Sequence, residues 1–303
     1  MTLNQSSDSQ TELFYQKIIN ILERHVKTPG AHTTLIKDLK LFRKEIPRQA
    51  CACFYQPSIS LLCQGTKQII VDKNIFPYDK HHLLITSLDI PTNSQIMEAS
   101  PIKPCFGISL NLERNIIAEL STQIDLRNSN KTKCSSVSIC SVNVSFLEPM
   151  YRLLSLMDEP ETIPVLAPLV IREIYYRLLT SDAAPILLQI ITTGNTGSNI
   201  RKAIEWLKQN YSQPLKISHL ASAVNMSPSS LHHHFRQLTG KSPLQYQKWL
   251  RVHEAKRLMI NNNLNAATAS YQVGYESPSH FSHDYKAIFG KSPQKDIKNF
   301  NQI

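Results

Sequence analysis

The sequence predicts an α+β chain of two domains, a β-rich N-terminal region followed by an all-helical C-terminal third. Three observations predict it. Short apolar runs separated by turn residues fill residues 52–112, the pattern of a small barrel or sandwich. A repeat with an offset of 50 positions occupies the last third. The excess positive charge is confined to that same third. At 303 residues the chain also exceeds one ordinary hydrophobic core.

Residues Thr11 to Lys27 carry apolar side chains near the helical period and predict an opening helix that stops before Pro29-Gly30. Ser58 to Cys63 leads through Gln64-Gly65 into Lys67 to Val71, which reads as a β-hairpin. Further strand-like runs are Leu83 to Leu88, Gln95 to Ala99 and Phe106 to Leu112. Pro77, Pro91, Pro101 and Pro104 fall between these runs, where a missing ladder donor does no harm. Helical spacing returns over Glu113–Leu120, Val144–Met157 and Val165–Leu179. Thr192 to Asn199 is small, polar and glycine-bearing, which is linker chemistry. The expected domains are therefore 1–191, with the barrel at about 50–112 and helices at 113–191, then a linker at 192–199, then 200–303.

Charge divides at the same boundary. The whole chain has a formal net charge of +10. From Asn195 onward, 14 Lys+Arg face only 5 Asp+Glu, while the residues before are nearly balanced. An acidic polymer or a membrane surface is the partner such asymmetry implies. Met1 to Lys17 lacks a basic-then-apolar leader, and no apolar run approaches the roughly 20 residues of a membrane span, so a cytoplasmic location is expected. Cys51, Cys53, Cys63, Cys105, Cys134 and Cys140 all precede Asn195, without CxxC spacing. That excludes zinc fingers from the basic region and leaves reduced, mostly packed thiols as the expectation.

The repeat is the strongest feature. Ser227-Pro228-Ser229-Ser230-Leu231 matches Ser277-Pro278-Ser279-His280-Phe281, and Gly240-Lys241-Ser242-Pro243 matches Gly290-Lys291-Ser292-Pro293. Each copy reads as a helix with a serine cap, proline at the first position and a glycine stop. Leu231, Phe235 and Leu238 form one apolar stripe, as do Phe281, Tyr285 and Ile288. The opposite faces carry Ser229, His232, His233 and Arg236 in one copy, and Ser279, Ser282, His283 and Lys286 in the other. Neither face has a carboxylate. A short helix precedes each: Ile217 to Val224 before the Asn225-Met226 turn, and Ala266 to Val273 before Gly274-Tyr275. Two short helices joined by a tight turn, the second polar and basic outside, make a helix-turn-helix, here at about 217–239 and 266–289. Pro243 to Ile260 predicts a connecting helix about 27 Å long, a spacer able to bring two reading helices near the ~34 Å repeat of B-DNA.

With these residues in view, 199–300 resembles the AraC/XylS family of bacterial transcription regulators. The marks are Leu220-Ala221, Val224, Met226-Ser227, Leu231, Phe235, Leu250-Arg251, Ala255, Leu258, Val273-Gly274-Tyr275, Phe281, Phe289-Gly290 and Pro293. The N-terminal region is similar to the cupin-like effector-binding barrel with dimerising helices often joined to that domain, through Gln64-Gly65-Thr66-Lys67, Tyr78-Asp79 and Asp89-Ile90-Pro91. The chain departs from the family pattern at Lys216, Ala269-Ser270 and Asp296-Ile297. The resemblance implies a sequence-specific transcription factor with operator or promoter DNA and RNA polymerase as partners. It also implies a small-molecule effector, a homodimer formed through N-terminal helices, and no membrane partner. Ser229, His232, His233, Arg236, Ser279, Ser282, His283 and Lys286 are the residues it directs to DNA, with Arg236 and Lys286 as ready to hold phosphate as base. Arg251, Lys256 and Arg257 on the connecting helix are expected to fix one unit against the other, and Trp206 and Trp249 to be core.

Two other classes compete. A cupin-like metal enzyme needs His and carboxylate ligands in one barrel. Only His81 and His82 lie there, adjacent and on opposite strand faces, so no metal, cofactor or catalytic residue is expected. His232-His233-His234 is no metal site either, because only the first two project outward. A non-specific architectural DNA binder would show weak preference among sequences, unlike two ordered groove helices.

Overall fold

A computed structural model of the chain describes residues 2–124, 135–191 and 196–300. Its contacts divide the chain into two compact units.

From the N-terminal end, helix α1 (Thr2–His25) is followed by strands β1 (Gly30–Thr33), β2 (Leu39–Lys44), β3 (Arg48–Tyr55), β4 (Ser58–Gln64), β5 (Thr66–Val71), β6 (Asn74–Tyr78), β7 (His82–Thr86), β8 (Ile90–Glu98) and β9 (Cys105–Asn111). Then come α2 (Arg114–Gln123), β10 (Val137–Ser141), α3 (Val144–Ser155), α4 (Ile163–Leu179) and α5 (Ala184–Ile191). The described strands form a six-stranded sheet in the order β1-β2-β9-β4-β7-β10 and a four-stranded sheet in the order β3-β8-β5-β6. The β-rich N-terminal domain expected from the sequence is present. Its extent differs: β1 and β2 precede the expected start near residue 50, and β10 follows the expected end.

The expected hairpin through Gln64-Gly65 does not form. β4 pairs with β7 and β9, whereas β5 pairs with β6 and β8, so the chain changes sheets at this corner. Gly65 has φ +85°, and a Cβ there would lie 2.7 Å from the Glu98 carbonyl and 2.8 Å from the Cys105 Cβ. Glycine is required at so close an approach. The apolar run of β4 reflects burial on both faces at the centre of its sheet. Pro77 and Pro91 lie inside β6 and β8, not between strands. β6 is an edge strand, where a proline costs no ladder bond. Cys63 and Cys105 are buried thiols, Cys51, Cys53 and Cys140 are half-buried, and Cys134 lies outside the described residues.

One face of the six-stranded sheet makes the main core. Leu39, Leu41, Ile59, Leu61, Ile108 and Leu110 pack with Ile18 and Leu22 of α1, Leu147 and Leu153 of α3, and Ile174 and Leu178 of α4. The period-2 residues of the strands meet the helical stripes of three helices, so neither set is left in water. α1 begins nine residues before the expected Thr11, and α5 was not anticipated.

The second unit comprises α6 (Thr196–Asn210), α7 (Ile217–Ala223), α8 (Pro228–Thr239), α9 (Pro243–Asn261), α10 (Ala266–Gln272), α11 (Pro278–Phe289) and α12 (Pro293–Phe300), together with the short segments Cys51–Phe54 and Ile90–Thr92. Residues 196–199 of the expected linker are therefore helical, and 192–195 lie outside the described residues. Trp249 is buried as expected; Trp206 is only half-buried, because Ala203, Ile204 and Leu207 hold the inner face of α6. Helix α12 lies beyond the elements that the sequence pattern predicts.

Candidate nucleic-acid interface

Both repeat copies fold into the same local structure, and the reasons are chemical. In the first, Val224 closes α7, Asn225 takes the left-handed conformation (φ 54°), and the Met226 N–H donates to Ala221 O at 2.9 Å. Ser227 Oγ accepts from Ser230 N at 3.3 Å, with Pro228 opening α8. In the second, Gly274 takes φ +89° and the Tyr275 N–H donates to Ser270 O at 3.0 Å. Ser277 Oγ accepts from Ser279 N at 3.3 Å, with Pro278 opening α11. Left-handed glycines, Gly240 and Gly290, end both helices.

These caps fix which faces are hidden. Leu231, Phe235 and Leu238 are buried beneath α8; Phe281 and Tyr285 are buried beneath α11, with Ile288 half-buried. Ser229, His232, His233, Arg236, Ser279, His283 and Lys286 are exposed, and Ser282 is half-buried. His234 is half-buried as its flanking position implies, with Nδ1 3.3 Å from Gln237 Oε1. Asp284 lies beside them, its Oδ1 3.7 Å from His283 Nδ1. It turns inward, accepting from Tyr275 Oη at 3.1 Å and pairing with Lys248 at 3.2 Å. The outward surfaces are thus donors and cations.

What holds the two helix pairs together was only partly readable. Arg251 of α9 donates from Nε to Tyr211 O at 2.6 Å, and from Nη2 to Ser212 O at 3.2 Å and Gln213 O at 3.0 Å. Gln247, one turn earlier and buried, donates to Tyr211 O and Gln213 O at 3.0 and 2.7 Å. The turn between α6 and α7 is thereby clamped to α9. The Arg251 guanidinium also lies 5.7 Å from the Tyr275 ring centre, so one side chain joins the α6–α7 turn to the second helix-turn-helix pair. Burial pushes its pKa down. The same turn abuts Gly274, where a Cβ would sit 2.0 Å from Ser212 O. Arg251 was expected to act this way; Gln247 was missed, since a glutamine on a polar helix gives no signal of burial.

Lys256 pairs with Asp296 at 2.6 Å, and Tyr285 Oη donates to the same carboxylate at 2.7 Å, tying α12 to α9 and α11. Burial pushes the Asp296 carboxyl up, but these two donors outweigh it and hold it below its usual range. Asp296, a departure from the family pattern, is thus an internal strut. Arg257 instead pairs with Glu254 at 2.6 Å on its own helix. Lys216, the second departure, caps α7 without a side-chain bond. At the third, the buried Ser270 hydroxyl donates to Ala267 O. His253 stacks on Trp249 at 4.6 Å and lies 4.9 Å from Phe289. Burial, then Lys256, pushes its pKa down to about 4.

Among the described residues no cluster of His, Cys, Asp or Glu could hold a metal ion, and no helix is long and apolar enough to cross a membrane. His82 pairs with Asp79 at 2.7 Å.

Two helix-turn-helix pairs on one connecting helix, with polar and cationic outer faces, define a DNA-binding regulator of the two-motif class. Comparison with known proteins agrees. The model of the AraC-type transcriptional regulator N-terminus matches residues 35–186, and that of a helix-turn-helix domain matches 220–299. The chain belongs to the AraC family of transcriptional regulators. It is 26% identical over 157 residues to the transcriptional activator RhaS of Escherichia coli, covering 52% of this chain and 56% of that protein. RhaS of Pectobacterium carotovorum is 26% identical over 106 residues, 35% of this chain and 38% of that protein. The chain therefore spans about half the length, or less, of the curated relatives it matches. Among solved structures, ToxT from Vibrio cholerae with an unsaturated fatty acid bound has TM-score 0.61 at 12% identity, covering 86% of this chain and 93% of that one. An apo variant of ToxT has TM-score 0.59 at 10% identity, covering 86% and 97%. These likenesses establish the fold.

Proposed function

We propose that the chain is a sequence-specific transcription regulator whose helices α8 and α11 read two consecutive major-groove segments. The observation that carries this is the pairing of two capped helices, each burying its apolar stripe and exposing a face of hydroxyl, imidazole and cationic groups. Ser229, His232, His233 and Arg236 contact one segment; Ser279, Ser282, His283 and Lys286 contact the next. Serine and imidazole donate to or accept from base edges, and the Arg236 fork fits guanine O6 and N7 or a phosphate. A duplex phosphate backbone also answers the positive charge of residues 195–303.

The N-terminal unit takes a small effector, and ligand must bind two conformations unequally for that to change DNA binding. A polar cleft of about 300 Å³, lined by Glu12, Gln64, Thr66, Asp79, Lys80 and Lys103, has room for a small polar molecule. The regulator acts in the cytoplasm, in two copies, with RNA polymerase as the downstream partner, and performs no catalysis of its own.

Selection from a random duplex library with the full chain tests the reading. Two blocks of preferred sequence one helical turn apart are expected, with specific sites bound at least about a thousandfold tighter than random DNA. Enrichment of no sequence, or of a single short block, refutes it.

A further inference from the structure

The polar cleft of about 300 Å³ beside α1 and the β4–β5 corner holds more charge than it neutralises internally. Two of its three carboxylates are engaged by neighbouring donors. Glu12 pairs with Lys80 at 2.6 Å and accepts from Gln16 Nε2 at 3.3 Å. Asp79 accepts from the His81 N–H at 2.9 Å and pairs with His82 at 2.7 Å. The Glu98 carboxylate and the Lys103 ammonium line the same cleft, and among the described residues neither has an ion-pair or hydrogen-bond partner for its side chain.

The backbone fixes where both side chains start. Glu98 closes β8 directly opposite Thr66 of β5, so its carboxylate and the Thr66 hydroxyl stand on one face of that sheet. Gly65, where a Cβ would strike the Glu98 carbonyl, brings the corner against this end of β8. Lys103 sits in the turn before β9, where the Ser100 N–H donates to Lys103 O at 3.0 Å and the Lys103 N–H donates to Ser100 Oγ at 2.9 Å.

One anion and one cation, each without a protein counter-ion, select a ligand by charge. A plain carboxylate or phosphate meets Lys103 but sets its charge against Glu98, and an amine does the reverse. A neutral sugar takes water from both charges and returns no counter-ion, which costs free energy. A molecule that carries one ammonium and one carboxylate answers both. The volume is at the small end of ligand pockets, a fit for a single amino acid and not for a peptide or nucleotide.

We infer that this cleft binds a free amino acid, its ammonium on Glu98 and Thr66 and its carboxylate on Lys103. The inference rests on the reading that the N-terminal unit takes a small effector, and it names the chemical class of that effector.

Calorimetric titration of the full chain with the common α-amino acids and β-alanine tests it. At least one is expected to bind. Its N-acetyl form, which loses the positive charge, and its methyl ester, which loses the negative one, should each bind about tenfold more weakly or worse. Glu98→Gln and Lys103→Gln, both at exposed positions, should weaken the free amino acid by about tenfold or more, while Lys73→Gln, exposed outside the cleft, leaves it unchanged. Unchanged circular dichroism checks the folding of each variant. Binding of no amino acid, equal binding of the acetylated and esterified forms, or normal binding by the two cleft variants overturns the inference. The effector reading is tested separately, by the affinity of the chain for its library-selected DNA with and without each compound, glucose and acetate included. A shift with glucose or acetate alone overturns the amino-acid inference and keeps the effector reading. An amino acid that binds as described but shifts nothing keeps the inference and overturns that reading.

Discussion

Gly274 and Gly290 occupy nearly the same backbone conformation, at φ +89° and +76°, yet their surroundings are opposite. A Cβ at Gly290 meets nothing within 4 Å; at Gly274 it meets Ser212 O at 2.0 Å and Ser212 C at 2.7 Å. Alanine at Gly290 therefore costs only the left-handed backbone penalty, about 1–2 kcal/mol. Alanine at Gly274 bears that penalty and must also push back a turn that Arg251 and Gln247 hold by five hydrogen bonds. Overpacking of this kind adds about 1–3 kcal/mol. The expected totals are about 1–2 and 2–5 kcal/mol, a difference near 2 kcal/mol, or roughly thirtyfold in the unfolding constant. Urea unfolding followed by tryptophan fluorescence measures it in the full chain, because both tryptophans, Trp206 and Trp249, lie in the second unit. Gly274→Ala should also lose specific DNA binding while Gly290→Ala keeps it. Equal destabilisation by the two substitutions would refute the proposed contact between the α6–α7 turn and the second motif.

Other expectations follow from the same geometry. His253 has its pKa depressed to about 4, below the ordinary imidazole value near 6.5. The unfolded chain then binds the proton more tightly, so stability is full above pH 6.5 and falls as pH drops towards 4, by roughly 2.5 kcal/mol at pH 4.5. His253→Phe should flatten this acid limb, and an unchanged limb would assign it to other groups. Arg251→Ala removes three charge-assisted bonds and should cost about 2 kcal/mol with loss of two-segment binding, since Gln247 still holds two of the three carbonyls. Retained binding with full stability would show that the clamp is dispensable. Arg236→Ala should cost about 1–3 kcal/mol of DNA affinity and relax preference at one position if it reads a base; a uniform loss, with the salt slope reduced by about one, would make it a phosphate contact.

The C-terminal motifs were legible because every signal in them is local. Serine caps, prolines at first positions, glycine stops and apolar stripes act within one helix, and the offset of 50 matched each against its twin. The N-terminal unit was legible in kind but not in pairing. Ser58 to Val71 reads as a hairpin because two strands flank a glycine, but Gly65 turns the chain from one sheet to the other. Strands β1, β2 and β10 were missed for a related reason: their patterns are short, and the partners of β2 and β10, β9 and β7, lie far away in sequence.

Sequence by itself determined that two capped helices near the chain's end expose cationic, carboxylate-poor faces, since propensity and capping depend on neighbours a few residues away. The step in charge at Asn195 is also a purely local signal, and on it rests the expectation of a two-domain division. Tertiary structure alone decided how the turn before the first motif is held against the connecting helix and the second motif, because Arg251, Gln247 and Gly274 meet the Tyr211–Gln213 turn from about 35 to 60 residues away, where no periodicity reaches. It also decided which face of α4 stays in water, since burial depends on what the rest of the fold brings against a helix, and that helix is apolar on both sides.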